Sequence, residues 1–328
     1  MLTLSRWKDW TAGCIVLICL LLVPGGVTHA QGTWTDYRLI AHGLGEISSV
    51  SVTNSYEAFI TNYNRGHRVF EADLILTQDD QLVARHDWSD YLSTLLKQPT
   101  AQNRKDQPMT LQAFQNTKIL NEFKPLSYED LVLLLKQYPD SYLITDTKET
   151  DPRLIEKQFQ QILEITRSVD PEILKRVVPE LYSPEMIKQV QQMHRFPSYI
   201  FSLYLSGLPE NRVVDFVKKN NVPAIAMPFE RANESYIRKL NQAGALVYVH
   251  TTNDQAELVK FDRIGVYGFY TDRLDYHQAG LPAPKAPAIE TKFAVKPDMQ
   301  VQDVSSSRPD SGIVEQWISK LIQFLKTS

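Results

Sequence analysis

The stretch VFEADLILTQDDQLVARHD, residues 69–87, holds two apolar extended segments separated by the short polar sequence TQDDQ. This gap is too short for a crossover helix, so the two segments are predicted to pair as an antiparallel hairpin. A two-residue turn at Asp79-Asp80 would fix the pairing. Asp73 is then expected to lie directly opposite His86, so that both side chains share one face of the hairpin.

Strand-like runs alternate with longer helical patterns on both sides of this hairpin, from about residue 37 to residue 275. The eight runs are RLIAH, VFEAD, YLITD, VVPELY, YIFSLYL, AIAMPF, LVYVHTT and GFYTD. Amphipathic segments lie between most of them, such as SYEDLVLLLKQY, which opens at the N-cap residue Ser127. The alternation indicates parallel strands joined by right-handed crossovers, and eight strands in about 240 residues are typical of a (β/α)8 TIM barrel.

An α/β barrel over residues 31–280 is therefore the predicted fold, with the short hairpin and a polar rim insertion at 88–125 after its second strand. Insertions at the carboxyl ends of barrel strands usually shape the substrate mouth. An open doubly wound sheet is the alternative. It would favour a glycine-rich phosphate loop after the first strand, and the sequence has none there.

The two ends of the chain are predicted to lie outside the barrel. Residues 1–30 contain Arg6 and Lys8 followed by a short apolar run and small residues, which is typical of a cleaved secretory signal, with an uncleaved anchor as the alternative. Residues 281–312 have the composition of a linker. Residues 313–328 predict an amphipathic helix that either docks onto the domain or makes peripheral contact with a membrane. We expect a secreted or cell-surface protein.

The composition excludes several classes of protein. Of the 328 residues, 43% are apolar and 22% are charged, which describes an ordinary globular chain. The formal net charge of -3 argues against a nucleic-acid partner, which would require a basic surface. The two cysteines, Cys14 and Cys19, lie in the predicted signal segment, so neither a disulfide scaffold nor a cysteine zinc site is expected.

Polar side chains that interrupt or end the apolar strands are the candidates for chemistry. They are His42, Glu71, Asp73, His86, Asp146 and Lys148. Residues two apart on a strand point the same way, as Glu71 and Asp73 would do. Because the strand ends of a barrel converge on one rim, these side chains are expected to meet in one site.

Three carboxylates in one partly buried site take up protons or bind a cation, because two of them at about 4 Å repel by roughly 4 kcal/mol at an effective dielectric of about 20. Oxygen ligands alone favour a hard divalent ion, Ca²⁺ or Mg²⁺. The alternative is that each acid is paired separately with Lys148, Arg68 or Arg85.

Six segments in this order resemble the glycerophosphodiester phosphodiesterases, which belong with the phosphatidylinositol-specific phospholipase C-like barrels. The segments are AHGLG, TNSYEAF, VFEADLILTQDDQLVARHD, YLITDTK, VYVHTTND and GFYTDRL. Together they cover nearly the whole predicted barrel, and the ordered set is more specific than any single motif. The resemblance implies a TIM barrel that hydrolyses phosphodiesters with the help of a divalent ion.

The resemblance also implies a role for each candidate residue. The general acid/base pair would be His42 and His86. The metal ligands would be Glu71, Asp73 and Asp146. The substrate-binding residues would be Lys148, Asn54 and His250, with Lys148 on the phosphate.

The sequence departs from the family pattern at five positions. Gly43 replaces Arg, Thr53 replaces Glu, Asp80 replaces a turn Gly, Asp146 replaces Glu and His250 replaces Trp. The change at Gly43 removes a phosphate contact. Asp146 is one methylene shorter than Glu, so the ion would have to sit closer to its strand. His250 ends a strand and is expected either to point at the rim or to pack beneath it.

Three further residues are predicted to be structural. His67, beside Gly66, is assigned to a surface turn, and Tyr182 and Tyr204 are assigned to packing in the core or at the rim.

These features predict a secreted, metal-dependent phosphodiesterase that hydrolyses glycerophosphodiesters or related polyol phosphodiesters to an alcohol and glycerol phosphate. One histidine would take a proton from water or from a hydroxyl next to the phosphate, and the other would protonate the leaving alcohol. Its partner would be a small-molecule or lipid-derived substrate. One alternative is a phospholipase of the C or D type, which the rim insertion and the C-terminal helix favour. The other is a non-catalytic binding protein with a degenerate site, which the departures from the family pattern favour.

Overall fold

The computed structural model describes residues 33–98 and 106–284. Its strands are β1 (Leu39–Ala41), β2 (Val69–Leu76), β3 (Leu82–Ala84), β4 (Tyr142–Asp146), β5 (Val177–Leu181), β6 (Ile200–Ser202), β7 (Ala224–Pro228), β8 (Leu246–His250) and β9 (Gly268–Thr271). Parallel neighbours follow the order β1-β9-β8-β7-β6-β5-β4-β2, and a β1–β2 pairing closes the ring. The predicted eight-stranded barrel is confirmed, because a closed ring excludes the open doubly wound sheet.

Most of the helices cover the outside of this ring, and two short ones lie in the rim insertion. They are α1 (Tyr56–Asn64), α2 (Asp90–Leu95), α3 (Leu111–Asn116), α4 (Tyr128–Gln137), α5 (Pro152–Val169), α6 (Pro184–Met193), α7 (Glu210–Asn220), α8 (Glu234–Gln242), α9 (Gln255–Arg263) and α10 (Tyr276–Ala279). Ser127 caps α4 as predicted: its hydroxyl accepts from the Asp130 N–H, and the Asp130 carboxylate accepts from the Ser127 N–H. Within the described ranges no helix has both the length and the apolar character needed to cross a bilayer.

Alternation along the barrel strands places two hydrophobic clusters on the two faces of the ring. The cluster inside the barrel includes Ile40, Val69, Ile144, Val178, Ile200 and Tyr248. The larger cluster packs the outer strand faces against the helices and includes Leu39, Phe70, Leu143, Phe159 and Phe269. On β2 the inward-facing side chains are Val69, then Glu71 and Asp73, and on β4 they are Ile144, then Asp146. The polar side chains therefore lie at the carboxyl ends of the strands, above the apolar cluster inside the barrel.

The hairpin forms as predicted, but its register differs by one residue. Leu74 pairs with Ala84, and the backbone N–H of Arg85 donates to the carbonyl of Asp73 at 2.9 Å. Asp73 therefore lies opposite Arg85, and the prediction that it directly opposes His86 is wrong. The loop uses three residues instead of two, because Asp80 adopts a left-handed conformation with φ of 59°. The chain then leaves β3 and bends at His86.

The rim insertion contains α2 and α3 and is fastened to the hairpin by Arg85, which is 2% exposed. The Arg85 guanidinium donates to the Gln98 side-chain oxygen at 2.5 Å, to the Ser93 hydroxyl at 3.0 Å and to the Asp87 carbonyl at 2.6 Å. Arg68 pairs with Asp140 at 2.6 Å. Neither arginine pairs with Glu71, Asp73 or Asp146 among the described contacts, so the alternative of separate ion pairs fails for both.

Two further sequence predictions have different outcomes. His67 is 2% exposed, and its Nε2 donates to the carbonyl of Leu274 at 3.1 Å, so the surface-turn prediction is wrong. The predicted signal at 1–30, most of the predicted linker at 281–312 and the predicted helix at 313–328 lie outside the described residues.

Candidate active site

The carboxyl ends of β2 and β4 bring three acids together. Asp73 and Asp146 are register partners on these neighbouring strands. Glu71 lies two residues before Asp73 and points the same way. Oxygen atoms from the three carboxyl groups lie within 4.8 Å of one another. The convergence that the i, i+2 spacing predicts is thus present in the structure.

Glu71 has one carboxyl oxygen bound and one free. Its Oε2 accepts from the backbone N–H of Gly43 at 2.7 Å, whereas Oε1 is buried with no hydrogen-bond partner among the described residues. Burial and the charge of Asp73 raise the pKa of Glu71 well above its usual range. The Glu71 carboxylate is therefore short of positive partners.

Asp73 is the best paired of the three acids. Its Oδ1 lies 2.5 Å from Nζ of Lys148, and its Oδ2 accepts from the Asn54 amide at 2.8 Å. Burial opposes ionisation, but the charges of Lys148, His86 and His42 outweigh it and lower the pKa of Asp73 well below its usual range. Asn54 is fully buried and also accepts from the Asp73 backbone N–H, so it holds this carboxylate in place. Its assignment to substrate binding stays a prediction.

Asp146 lies between Lys148 and the strand β5. Its Oδ2 is 3.7 Å from Nζ of Lys148, and its Oδ1 accepts a hydrogen bond from the hydroxyl of Tyr182. Burial, aided by the charges of Glu180 and Asp73 and opposed by Lys148, raises the pKa of Asp146 to about 7. Lys148 therefore offsets the cost of burying the Asp146 carboxylate only in part.

Each predicted catalytic histidine has its Nδ1 bound by a carboxylate. His42 Nδ1 lies 2.8 Å from Oδ1 of Asp272, and His86 Nδ1 lies 2.7 Å from Oδ2 of Asp87. Burial opposes the charging of His42, but the hydrogen bond to Asp272 and the nearby acids outweigh it and raise the pKa of His42 to about 10. Neither ring makes a hydrogen bond through Nε2 to a residue within 33–98 or 106–284.

His250 stands among aromatic rings on the opposite side of the mouth from the acids. Its ring centroid is 5.8 Å from that of Tyr204 and 5.7 Å from that of Tyr270. Burial, joined by the charges of His42 and Lys148, lowers the pKa of His250 to about 3, so the ring is neutral. Its Nε2 is buried without a hydrogen-bond partner among the described residues. A substrate contact at His250 stays a prediction.

Polar residues on or directly after β5 and β9 take part in the site but were not predicted as candidates from the sequence. Glu180 is buried on β5 and accepts from the Tyr270 hydroxyl at 2.8 Å, and Tyr182 contacts Asp146 instead of only packing. The i, i+2 spacing of Glu180 and Tyr182 is the same signal that identified Glu71 and Asp73. Asp272 directly follows β9, at the end of the segment GFYTD.

A divalent cation fits the three acids. The donors are all carboxylate oxygens, Glu71 Oε1 has no hydrogen-bond partner in the described part of the chain, and the pKa values of Glu71 and Asp146 are raised. The three carboxylates outnumber the ammonium of Lys148, which contacts Asp73 and Asp146. Hard divalent ions prefer oxygen ligands of this kind. Glu71, Asp73 and Asp146 could therefore hold a metal ion.

Solved structures share this fold. A putative glycerophosphoryl diester phosphodiesterase from Silicibacter pomeroyi is 18% identical, with a TM-score of 0.59 over 74% of this chain and 92% of that chain. A glycerophosphodiester phosphodiesterase from Parabacteroides distasonis is 16% identical, with a TM-score of 0.59 over 74% and 95%. An Oleispira antarctica phosphodiesterase in complex with sn-glycerol-3-phosphate is 15% identical, with a TM-score of 0.59 over 72% and 93%. No curated protein matches the chain.

A parallel barrel with acids, a lysine and carboxylate-bound histidines at its mouth has the chemistry of a phosphoric diester hydrolase. The sequence makes the assignment specific, because residues 45–276 match the Glycerophosphoryl diester phosphodiesterase family. The chain belongs to this family, and the resemblance of its motifs is confirmed. The match begins at Gly45, three residues after His42.

Proposed function

We propose that the protein is an exported, metal-dependent phosphodiesterase that hydrolyses water-soluble glycerophosphodiesters to an alcohol and glycerol phosphate. The observation that carries this proposal is the arrangement of two carboxylate-held imidazoles and Lys148 around one cluster of three acids. The family match supports the reaction class. The product bound to the Oleispira antarctica enzyme supports glycerol phosphate as one product.

His42 and His86 serve as the general acid and base in this proposal. Because a carboxylate engages Nδ1 of each ring, Nε2 is the atom that exchanges a proton with the substrate. One histidine accepts a proton from the attacking water or hydroxyl, and the other donates a proton to the leaving alcohol oxygen. Groups in these roles each contribute about 10²–10⁴ in rate.

The charges of the mouth explain why an ion is part of the proposal. An anionic phosphodiester is repelled by Glu71, Asp73 and Asp146 unless their charge is offset. A bound Ca²⁺ or Mg²⁺ would supply that charge and would neutralise phosphoryl oxygens. Lys148, which already contacts Asp73, would donate to a phosphoryl oxygen.

The two ends of the chain support the proposed localisation. Residues 1–30 support export through a secretory signal, and residues 313–328 support peripheral contact with a membrane. Immunoblotting of culture medium, membranes and cytosol for the full-length chain tests this localisation. Protein found only in the cytosol would contradict it.

The activity is tested with the purified protein on glycerophosphocholine, glycerophosphoglycerol and phosphatidylcholine vesicles, each with EDTA, Ca²⁺ or Mg²⁺. We expect ion-dependent release of glycerol phosphate from the soluble substrates. The activity of His86→Ala is compared with that of a matched control, His277→Ala, which removes an exposed histidine beyond the last strand. Hydrolysis of vesicles alone would favour a phospholipase, and full activity in EDTA would remove the ion from the proposal.

A further inference from the structure

Tyr182 follows β5 directly and is 3% exposed. Its ring packs in the larger core cluster, while its hydroxyl donates to Oδ1 of Asp146 on the neighbouring strand. The other carboxyl oxygen, Oδ2, lies on the side of Lys148, whose ammonium also contacts Asp73. The two oxygens of Asp146 thus have different partners.

We propose that Tyr182 is a positioning residue matched to the short acid at position 146. Its hydroxyl holds Oδ1, so that Oδ2 is turned towards the ion site that Asp146 forms with Glu71 and Asp73. The inference rests on the proposed function, since it assumes that these acids bind a divalent ion.

The physical reason lies in the length of the side chain. Asp146 has a short side chain, and a Glu at this position would carry its carboxyl group further from the strand by one bond of about 1.5 Å. The hydroxyl of Tyr182 occupies space next to the Asp146 carboxyl group, so a longer acid would be forced against it. A buried ring in a close-packed core has little freedom to move away.

The hydroxyl also limits the rotation of the shorter acid. Without it, Asp146 Oδ1 would lose a donor and would be left with the Lys148 backbone N–H at 3.1 Å. Residues that orient metal ligands through hydrogen bonds typically contribute about 10–100-fold to metal affinity. A purely structural role for Tyr182 would instead change stability and leave ion affinity unaltered.

A double-mutant cycle separates these roles. Tyr182→Phe, Asp146→Glu and the double variant are compared with the wild-type chain by calorimetric titration with Ca²⁺ and Mg²⁺ in the absence of substrate. We expect each single substitution to weaken ion binding about 10-fold or more. The double variant should recover most of the affinity, because removal of the hydroxyl makes room for the longer acid.

The matched control is Tyr248→Phe, which removes another buried hydroxyl inside the barrel, one that donates to the carbonyl of Tyr37. Its ion affinity should equal that of the wild type. Thermal unfolding in EDTA shows whether each variant is folded. If Tyr182→Phe is unstable, Asp146→Glu tests the same contact by changing the carboxyl group instead of the hydroxyl.

The outcomes distinguish this inference from the proposed function. If the wild type binds the ion and Tyr182→Phe changes its dissociation constant by less than about 2-fold, the role of Tyr182 is overturned and the proposed function is not. Losses that simply add in the double variant overturn that role as well. A wild-type chain that binds neither ion overturns both the inference and the metal-dependent part of the proposed function.

Discussion

His42 and Asp272 are 230 positions apart in the chain, yet Nδ1 of the imidazole lies 2.8 Å from Oδ1 of the carboxylate. The closed barrel causes this contact, because β1 and β9 are adjacent strands. Asn253 holds Asp272 in turn, donating to Oδ2 at 2.6 Å and accepting from the Asp272 backbone N–H at 2.8 Å. His42 is therefore held in one orientation by a carboxylate that is itself fixed.

Replacing Asp272 with Asn tests this orientation. We expect kcat to fall by about 10²-fold, because the neutral amide no longer stabilises the imidazolium or fixes the tautomer. The loss of the negative charge also lowers the pKa of His42, so the limb of the pH–rate profile that belongs to this group moves to lower pH. Steady-state kinetics from pH 5 to pH 10 measure both effects.

The matched control is Asp262→Asn, which removes the same charge from a salt bridge with Arg38 on the outside of the barrel. It should leave kcat unchanged. An Asp272→Asn variant with wild-type kcat and pH profile would remove Asp272 from the mechanism.

His42→Ala and His86→Ala should each lose at least about 10² in turnover while keeping the fold. Both side chains are partly exposed at the mouth, so their removal leaves the barrel core intact. Hydrolysis of glycerophosphocholine and circular dichroism are the measurements. Near-normal turnover in either variant would show that the corresponding imidazole does not transfer the proton.

The acids and the hairpin show how far the sequence predicts this site. The position of Glu71 and Asp73 could be predicted from the sequence because side chains two residues apart on a strand point to the same face, here the inside of the barrel. The register was missed because Asp80 takes a left-handed conformation, which a glycine would have signalled and an aspartate does not.

Other contacts depend on tertiary structure. Tyr182 with Asp146 and His42 with Asp272 join residues from different strands, and no local pattern selects such partners. The neighbouring Gly66 indicates a turn at His67, but packing of the segment around Leu274 buries the side chain. Local sequence signals report local geometry, whereas these pairs are fixed only when the barrel closes.

Glu71→Gln should have opposite effects with and without the ion. In EDTA the variant should unfold at a higher temperature than the wild type, by about 2–4 °C for each 1 kcal/mol of repulsion with Asp73 that the neutral amide removes, and its oxygen still accepts from Gly43. Added Ca²⁺ or Mg²⁺ stabilises the wild type by mass action but not the variant, which lacks one ligand. Scanning calorimetry measures both.

Glu164→Gln, an exposed change on α5, is the control and should match the wild type in both conditions. A Glu71→Gln variant that is less stable than the wild type in EDTA would contradict the repulsion inferred at this carboxyl group.

His67 gives a pH dependence that is independent of the active site. Burial, together with the charge of Arg65, lowers the pKa of His67 to about 4, although the hydrogen bond to Leu274 opposes the shift. The unfolded chain has the ordinary pKa near 6.5. Between about pH 6.5 and pH 4, His67 therefore binds a proton in the unfolded state but stays neutral in the folded state.

The free energy of unfolding should consequently fall as the pH is lowered from 6.5 to 4, with a total loss from this group of about 3 kcal/mol. Urea unfolding in EDTA at several pH values measures the slope. His67→Gln keeps a neutral donor for the Leu274 carbonyl and should flatten the slope in this window, while the exposed His277→Gln is the matched control. Because other acids also titrate, the informative quantity is the difference between wild type and variant at each pH. A difference that stays constant from pH 7.5 to pH 4.5 would show that His67 is not held neutral by its burial.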